Sequence, residues 1–114
     1  MRYLKFTRWL DELHSTYTLG AVYFEAVRRH LGVDVAHAYG GFLATLSSWC
    51  ENSSIPYSGV AVGTIKKHIT GKGNASKQAV IKAVEAKGYR PQDDNEADAI
   101  ALLDYVLTTH QPQR

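Results

Sequence analysis

Acidic residues at two places in this sequence have the type and spacing needed to hold a metal ion. Glu25 is the single charged residue of the apolar stretch 21–27, and a lone acid in such a stretch requires a partner or a function. Further along, Asp98 lies four residues after Asp94 and three after Asn95, so either pair shares one face of a helix. Oxygen ligands of this kind suit Mg²⁺ or Mn²⁺. The acids therefore indicate a divalent-metal site, against the alternative that the later group only complements a helix dipole.

A basic, glycine-rich stretch lies between the two acidic places. In residues 62–77 a short apolar run is expected to end in a loop, and a helix is expected to follow. Four lysines and two glycines fall within residues 66–77. Backbone N–H groups of a glycine-rich turn, together with lysine charges, suit a phosphate backbone. The spacing is not that of a P-loop, and the alternative interpretation is a solvated basic turn without a ligand.

The charges of the chain are segregated although its net charge is small. The 114 residues carry a net charge of +2, which by itself does not argue for nucleic acid. Residues 61–90, however, hold seven Lys and Arg against one acid, and residues 91–104 hold five acids and no base. Two surfaces of opposite sign are expected if both stretches are exposed. The length predicts one domain over residues 1–114.

Cysteine usage and hydropathy exclude several classes of protein. Cys50 is the single cysteine, so an internal disulfide and a cysteine-based zinc cluster are excluded, which fits a reducing cytoplasm. No apolar run approaches the roughly 18 residues of a membrane span, and no membrane association is expected. The start of the chain has no signal-peptide pattern. The histidines show no metal-ligand spacing and are expected at the surface or at helix ends.

Hydrophobic periodicity predicts the elements that must position these groups. Helices are expected over residues 2–17, 35–50 and 76–87. A last helix is expected to be capped by Asp94 or Asn95 and to end at about His110. Strands are expected over residues 21–27 and 57–62. This order predicts an α/β sandwich around at least one parallel strand pair. Because both faces of residues 21–27 are apolar, a further strand is expected beside them, and the chain does not obviously contain one.

Smaller predictions concern single residues. Gly20 is expected to close the turn after the first helix, and Asp34 is expected to cap the second. Trp9 and Trp49 are expected in the core, and Cys50 is expected to be a packing residue.

From Ala21 onward the sequence resembles the RuvC-like Holliday-junction resolvases, in particular the phage and prophage versions. The resemblance rests on the blocks 63–67 and 70–77 (GTIKK and TGKGNASK), followed by residues 94–103 (DNEADAIALL). Both blocks occur in order, with the acid-bearing strand upstream. The resemblance covers roughly four-fifths of the chain.

The resemblance implies a ribonuclease H-like fold, a homodimer, and Mg²⁺- or Mn²⁺-dependent incision of branched DNA such as a four-way junction, in the cytoplasm of a bacterial host. Glu25 and Asp98 match the family's catalytic, metal-binding acids. Asn95 stands where the family usually has Asp or His, so Asp94 is expected as a substitute ligand. Lys66 and Lys77 match the family's DNA-contacting lysines, and Lys67, Lys72 and Asn74 of the same basic stretch are also expected to bind DNA.

One departure from the family pattern bears on activity. The family opens with a strand carrying a catalytic aspartate and with further strands, whereas this sequence begins at the first helix. An N-terminally truncated fold is therefore expected, with Met1 either internal to a longer product or the start of a naturally trimmed protein. We expect weak or no cleavage by this chain. The alternatives are a branched-DNA-binding module without chemistry and a fragment that self-associates through the exposed strand edge 21–27.

Overall fold

The computed structural model describes residues 1–27 and 32–109. The elements are α1 Arg2–Tyr17, β1 Val22–Ala26, α2 Val33–Asn52, β2 Tyr57–Ala61, α3 Val62–Thr70, α4 Lys77–Ala86 and α5 Asp94–Thr109. They form two compact units. The first contains Met1–Val22 and Val27–Ser58, and the second contains Tyr23–Ala26 and the chain from Gly59 onward.

Helices α1 and α2 pack on each other in the first unit. Leu10, Leu46 and Trp49 are buried, and the indole Nε1 of Trp49 donates to Asp11 Oδ1 at 2.8 Å. Cys50 is fully buried, which confirms its predicted packing role. The prediction for Trp9 is wrong, because this side chain is 52 % exposed.

The predicted bounds of α1 are confirmed, whereas α2 extends two residues beyond each predicted end. Helix α1 ends at Tyr17, and the left-handed residue that follows is Thr18 at φ 54° rather than Gly20. His14 Nδ1 accepts the backbone N–H of Leu19 at 3.0 Å, so this histidine does serve a helix end. Helix α2 begins at Val33 with Gly32 as its N-cap. Asp34 therefore lies inside the first turn and does not cap the helix.

Strands β1 and β2 form a two-stranded parallel sheet, as narrow as the sequence predicts. A Cβ at Gly59 of β2 would lie 2.9 Å from the Phe24 ring of β1, so this ring occupies the space that a side chain at position 59 would need. Every residue of β1 is half-buried rather than buried, because no further strand covers it within residues 1–27 and 32–109. The core of the second unit comprises Val60, Ile65, Ile69, Ala75, Val80, Val84, Ala97 and Ala101.

The expected basic loop is largely a helix, which corrects the sequence analysis. Residues Val62–Thr70 form α3 because Ile65 and Ile69, four residues apart, bury one helical face. Gly71, at φ 90°, ends the helix in the left-handed conformation that glycine adopts without strain. The true loop is residues 71–76, so Lys66 and Lys67 lie on a helix instead of a flexible turn.

The next two helices begin at side-chain caps. Ser76 Oγ accepts the backbone N–H of Ala79 at 3.1 Å and starts α4 close to the predicted position. Asp93 Oδ1 accepts the backbone N–H of Glu96 at 2.8 Å, so the expected cap at Asp94 or Asn95 is wrong by one or two residues. The predicted end of α5 at His110 lies outside the described residues. Within the described part of the chain, no helix is both long and apolar enough to cross a membrane.

Candidate functional site: a cleft with two carboxylates and two lysines

A cleft of about 210 Å³ in the second unit collects the chemistry predicted from the sequence. Strand β1 and helices α3, α4 and α5 all contribute to its wall. The lining residues are Glu25, Val62, Ile65, Lys66, Lys77, Val80 and Asp98. Two acids and two bases thus share one confined space with an apolar floor, which we call the acid–lysine cleft.

Buried neighbours fix the positions of the charged side chains. Asp98 follows Ala97, which is fully buried, and Lys66 follows Ile65, which is 4 % exposed. Lys77 is the first residue of α4, directly after the Ser76 cap. These three charged groups of the cleft are therefore attached next to residues that packing or capping holds in place, which restricts where their side chains can reach.

Burial and like charge act together on the two carboxyl groups. Burial raises the pKa of Glu25, the negative charge of Asp98 raises it further, and Lys66 opposes both effects. The pKa of Asp98 is also raised, first by burial and then by the charge of Asp94, against Lys66 and Lys77. Both shifts mean that negative charge is costly in the cleft. A bound cation would reduce this cost.

Asp94 and Asn95, predicted as further ligands, do not line the cleft. Asp94 Oδ2 lies 3.3 Å from Lys77 Nζ, and this lysine holds the pKa of Asp94 below its usual range. Asn95 is exposed on the first turn of α5. Of the four predicted metal residues, the structure therefore brings Glu25 and Asp98 together in the cleft.

The predicted DNA contacts divide in the same way. Lys66 and Lys77 line the cleft, whereas Lys67, Lys72 and Asn74 are exposed and do not. The backbone N–H of Lys72 donates to Thr70 Oγ1 at 3.1 Å, which ties the start of the 71–76 loop to the end of α3. The exposed cations thus lie on ordered helices and on a loop that hydrogen bonds hold to α3.

The carboxylates of the cleft suit a cation that takes its remaining ligands from water and from a bound substrate. Among the described residues, no three His, Cys, Asp or Glu side chains group closely enough to hold a metal by themselves. Mg²⁺ is commonly held by one or two carboxylates together with water and substrate phosphates. Glu25 and Asp98 supply such a pair, and burial, the first cause of their raised pKa values, is only partly offset by the cleft lysines.

A larger cavity, of about 520 Å³, belongs to the first unit and has no charged lining. Its wall consists of Thr7, Ala44, Thr45, Ser48, Trp49 and Asn52. Two of the hydroxyls are already used, since Thr7 donates to the carbonyl of Tyr3 and Thr45 to that of Gly41. This cavity offers no acid or base for chemistry.

The sequence analysis missed a polar cluster around Asp104. Its Oδ2 atom lies 2.8 Å from both His68 Nε2 and Lys87 Nζ, and its Oδ1 accepts from the Tyr89 hydroxyl at 3.2 Å. Lys87 and His68, in that order, lower the pKa of Asp104. The sequence signal that could have indicated this cluster was an acid, Asp104, among the inward-facing residues of the last helix. The cluster ties α3, α5 and the end of α4 together.

Comparison with known proteins gives the fold. No protein-family model matches the chain, and no curated protein matches its sequence. Among solved structures, "T. thermophilus RuvC in complex with Holliday junction substrate" superposes with a TM-score of 0.75 at 21 % identity, covering 88 % of this chain and 62 % of that one. The fold is that of RuvC. A second structure of Thermus thermophilus RuvC gives a TM-score of 0.69 at 22 % identity, over 96 % of this chain and 69 % of that one.

The likeness to RuvC confirms the ribonuclease H-like α/β fold expected from the resemblance. The chain spans 62 % of the length of the RuvC chain that was solved with a junction. In this RuvC-like fold, the acid–lysine cleft is formed by one strand and three helices of the second unit.

Proposed function

We propose that this chain is a RuvC-like resolvase, or part of one, that acts on branched DNA with a divalent cation. The observation that carries the proposal is the acid–lysine cleft, in which Glu25 and Asp98 face the same space as Lys66 and Lys77. A cleft with both signs of charge suits a phosphate diester and a cation bound together. The RuvC fold, solved elsewhere with a Holliday junction, supports branched DNA as the substrate class.

Glu25 and Asp98 would hold Mg²⁺ or Mn²⁺, which when bound serves to activate a water molecule and to neutralise charge on the leaving oxygen. Lys66 and Lys77 would bind the phosphate and orient it toward the carboxylates.

The exposed groups outside the cleft would bind the DNA arms without taking part in chemistry. Lys67 lies on α3, and Lys72 and Asn74 lie on the 71–76 loop. Their side chains are all exposed, as contacts to a phosphate backbone require. These positions would fix the register of the junction on the protein.

The test is a gel assay with a labelled four-way junction and a linear duplex of matched length, with and without Mg²⁺. Junction-selective binding together with Mg²⁺-dependent nicking, lost in Glu25→Gln and Asp98→Asn, would support the resolvase. Equal affinity for the junction and the duplex would contradict it. Lys82→Met, which changes an exposed lysine of α4 outside the cleft, is the matched control.

A second candidate is a branched-DNA-binding module with little or no cleavage. It is favoured by the number of acids, since two carboxylates line the cleft and no group of three metal-binding side chains occurs in the described residues. Junction-selective binding without nicking at any Mg²⁺ or Mn²⁺ concentration would support the module over the enzyme.

The remaining parts of the proposal follow from the resemblance. We propose a single RuvC-like domain over residues 1–114, a homodimer, and a phage- or prophage-encoded protein that works in the cytoplasm of a bacterial host. Sedimentation of the chain with and without a junction would test the dimer, and a monomer in both conditions would contradict it.

A further inference from the structure

Lys77, which lines the acid–lysine cleft, also forms an ion pair with Asp94, and the proposed function gives no role to this pair. We propose that Lys77 exchanges Asp94 for a DNA phosphate, and that the freed Asp94 then joins Glu25 and Asp98 as a cation ligand. Binding of the cation and binding of DNA would thereby be coupled. The inference rests on the proposed function and adds a regulatory role for this pair.

The geometry places both partners where the exchange requires them. Lys77 lines the cleft, and its Nζ lies 3.3 Å from Asp94 Oδ2. Asp94 is one turn before Asp98 on α5, so the two carboxylates share a helix face. The charge of Asp94 is felt at Asp98, whose pKa it raises. Asp94 and Asp98 therefore interact electrostatically on one helix face, and the exchange requires the Asp94 side chain to rotate toward the cleft, because no three metal-binding side chains of the described residues are grouped as they stand.

Because both side chains are exposed, breaking the ion pair costs little free energy. The side chain of Lys77 is 76 % exposed and that of Asp94 is 38 % exposed. Exposed ion pairs contribute little to stability because water and salt screen them. A DNA phosphate offers Lys77 an equivalent negative charge, and its counterions are released when the lysine binds.

Lys66 provides the contrast that separates this exchange from simple electrostatics. It lines the same cleft, and its positive charge acts on Glu25 and Asp98 rather than on Asp94. Removal of either lysine raises the negative potential of the cleft. Only removal of Lys77 releases a new carboxylate.

Calorimetric titration of the full chain with Mn²⁺, without DNA, tests the proposal through affinity rather than activity. The variants are Lys77→Met, Lys66→Met, Asp94→Asn and the two double variants that combine each lysine change with Asp94→Asn. We expect Lys77→Met to strengthen Mn²⁺ binding about fivefold or more, the lower range of measured couplings, and to lose this gain in the Asp94→Asn background. Lys66→Met should give the same gain in both backgrounds.

An equal gain from Lys77→Met in both backgrounds would overturn the exchange, because Asp94 would then play no part. The same titration with a saturating four-way junction gives a second readout. The junction should strengthen Mn²⁺ binding more in the unchanged protein than in Asp94→Asn, because its phosphates can share the cation in both proteins and only the unchanged protein gains a carboxylate. Absence of Mn²⁺ binding in every variant would overturn the metal site itself, and the exchange with it.

Discussion

His68 Nε2 lies 2.8 Å from Asp104 Oδ2, and this contact joins α3 to α5 across a separation of 36 residues. The side chains are 17 % and 13 % exposed, so both are largely removed from water. Lys87 and Tyr89 bond to the same carboxylate and connect the end of α4. One acid therefore holds together the three helices that contribute to the acid–lysine cleft.

Replacement of Asp104 by Asn should destabilise the protein by about 1–2 kcal/mol, because His68, Lys87 and Tyr89 would lose a charged acceptor in a half-buried site. Urea unfolding followed by circular dichroism measures the change. The control is Glu85→Gln, an exposed residue of α4 outside the cluster, which should change stability little. Equal effects of the two substitutions would contradict the role of the cluster.

The contribution of Asp104 should depend on pH in a direction set by its lowered pKa. A carboxyl group with a depressed pKa binds its proton less tightly in the folded protein than in the unfolded chain. Its stabilisation is therefore full above the unfolded pKa of about 3.9 and is lost as the pH falls through the folded value. Unfolding of the unchanged protein and of Asp104→Asn should differ most at neutral pH and converge in acid.

Asp98 should show the opposite dependence in the absence of divalent cations. Its pKa is raised, so the folded protein binds the proton more tightly, and the cost of the charged form grows as the pH rises above about 3.9. Asp98→Asn should therefore stabilise the metal-free protein at pH 7, by no more than about 1 kcal/mol because the site is partly exposed.

The matched control for Asp98→Asn is Glu96→Gln, also in the first turns of α5 but not lining the cleft. Thermal unfolding at pH 7 and pH 4 without cation measures both variants. A loss of stability in Asp98→Asn at pH 7 would show that its charge is already compensated within the protein, which would contradict an anionic cleft.

Lys77→Met should weaken junction binding and make it less sensitive to salt. Loss of one phosphate contact should reduce the slope of log K against log salt concentration by about 0.9. Fluorescence anisotropy with a labelled junction between low and moderate salt measures the slope. Lys82→Met should leave the slope unchanged, because Lys82 lies outside the cleft. A slope that falls equally in both variants would mean that contacts are spread along α4.

Two adjacent glycines in α2 should respond differently to replacement by alanine. A Cβ at Gly40 would meet nothing within 4 Å, so Gly40→Ala should stabilise the protein by about 0.5–1 kcal/mol through helix propensity. A Cβ at Gly41 would overlap the Tyr3 ring, which packs edge-on against Phe42 at 5.0 Å. Gly41→Ala should displace this ring and bring no gain in stability. Chemical unfolding of both variants measures the difference.

The fold and the acids of the cleft could be predicted from the sequence, but helix α3 could not. Residue types identified Glu25 and Asp98, since an acid in an apolar strand and an acid on a helix face are visible without coordinates. Residues 59–62 form a short apolar run that leads directly into α3, and periodicity alone does not show where the strand ends and the helix begins. The buried pair Ile65 and Ile69 resolves the ambiguity only through its packing against α4 and α5.

Long-range pairing explains what else was missed. Asp104 meets partners that are 36, 17 and 15 residues away, and no local pattern relates these positions. Asp94 was expected to turn toward the metal site, whereas its contact with Lys77 depends on how α4 packs on α5. The structure also leaves the metal-binding and catalytic roles of Glu25 and Asp98 as predictions.

The two lysines of the cleft differ in when their freedom of motion is lost. Lys66 is half-buried on the regular helix α3, so much of the rotational entropy of its long side chain is given up when the protein folds. Lys77 is 76 % exposed and would lose most of its entropy when a ligand arrives. Lys66 thus presents its charge in a largely fixed position, whereas each contact through Lys77 carries an entropic cost that reduces the affinity it adds.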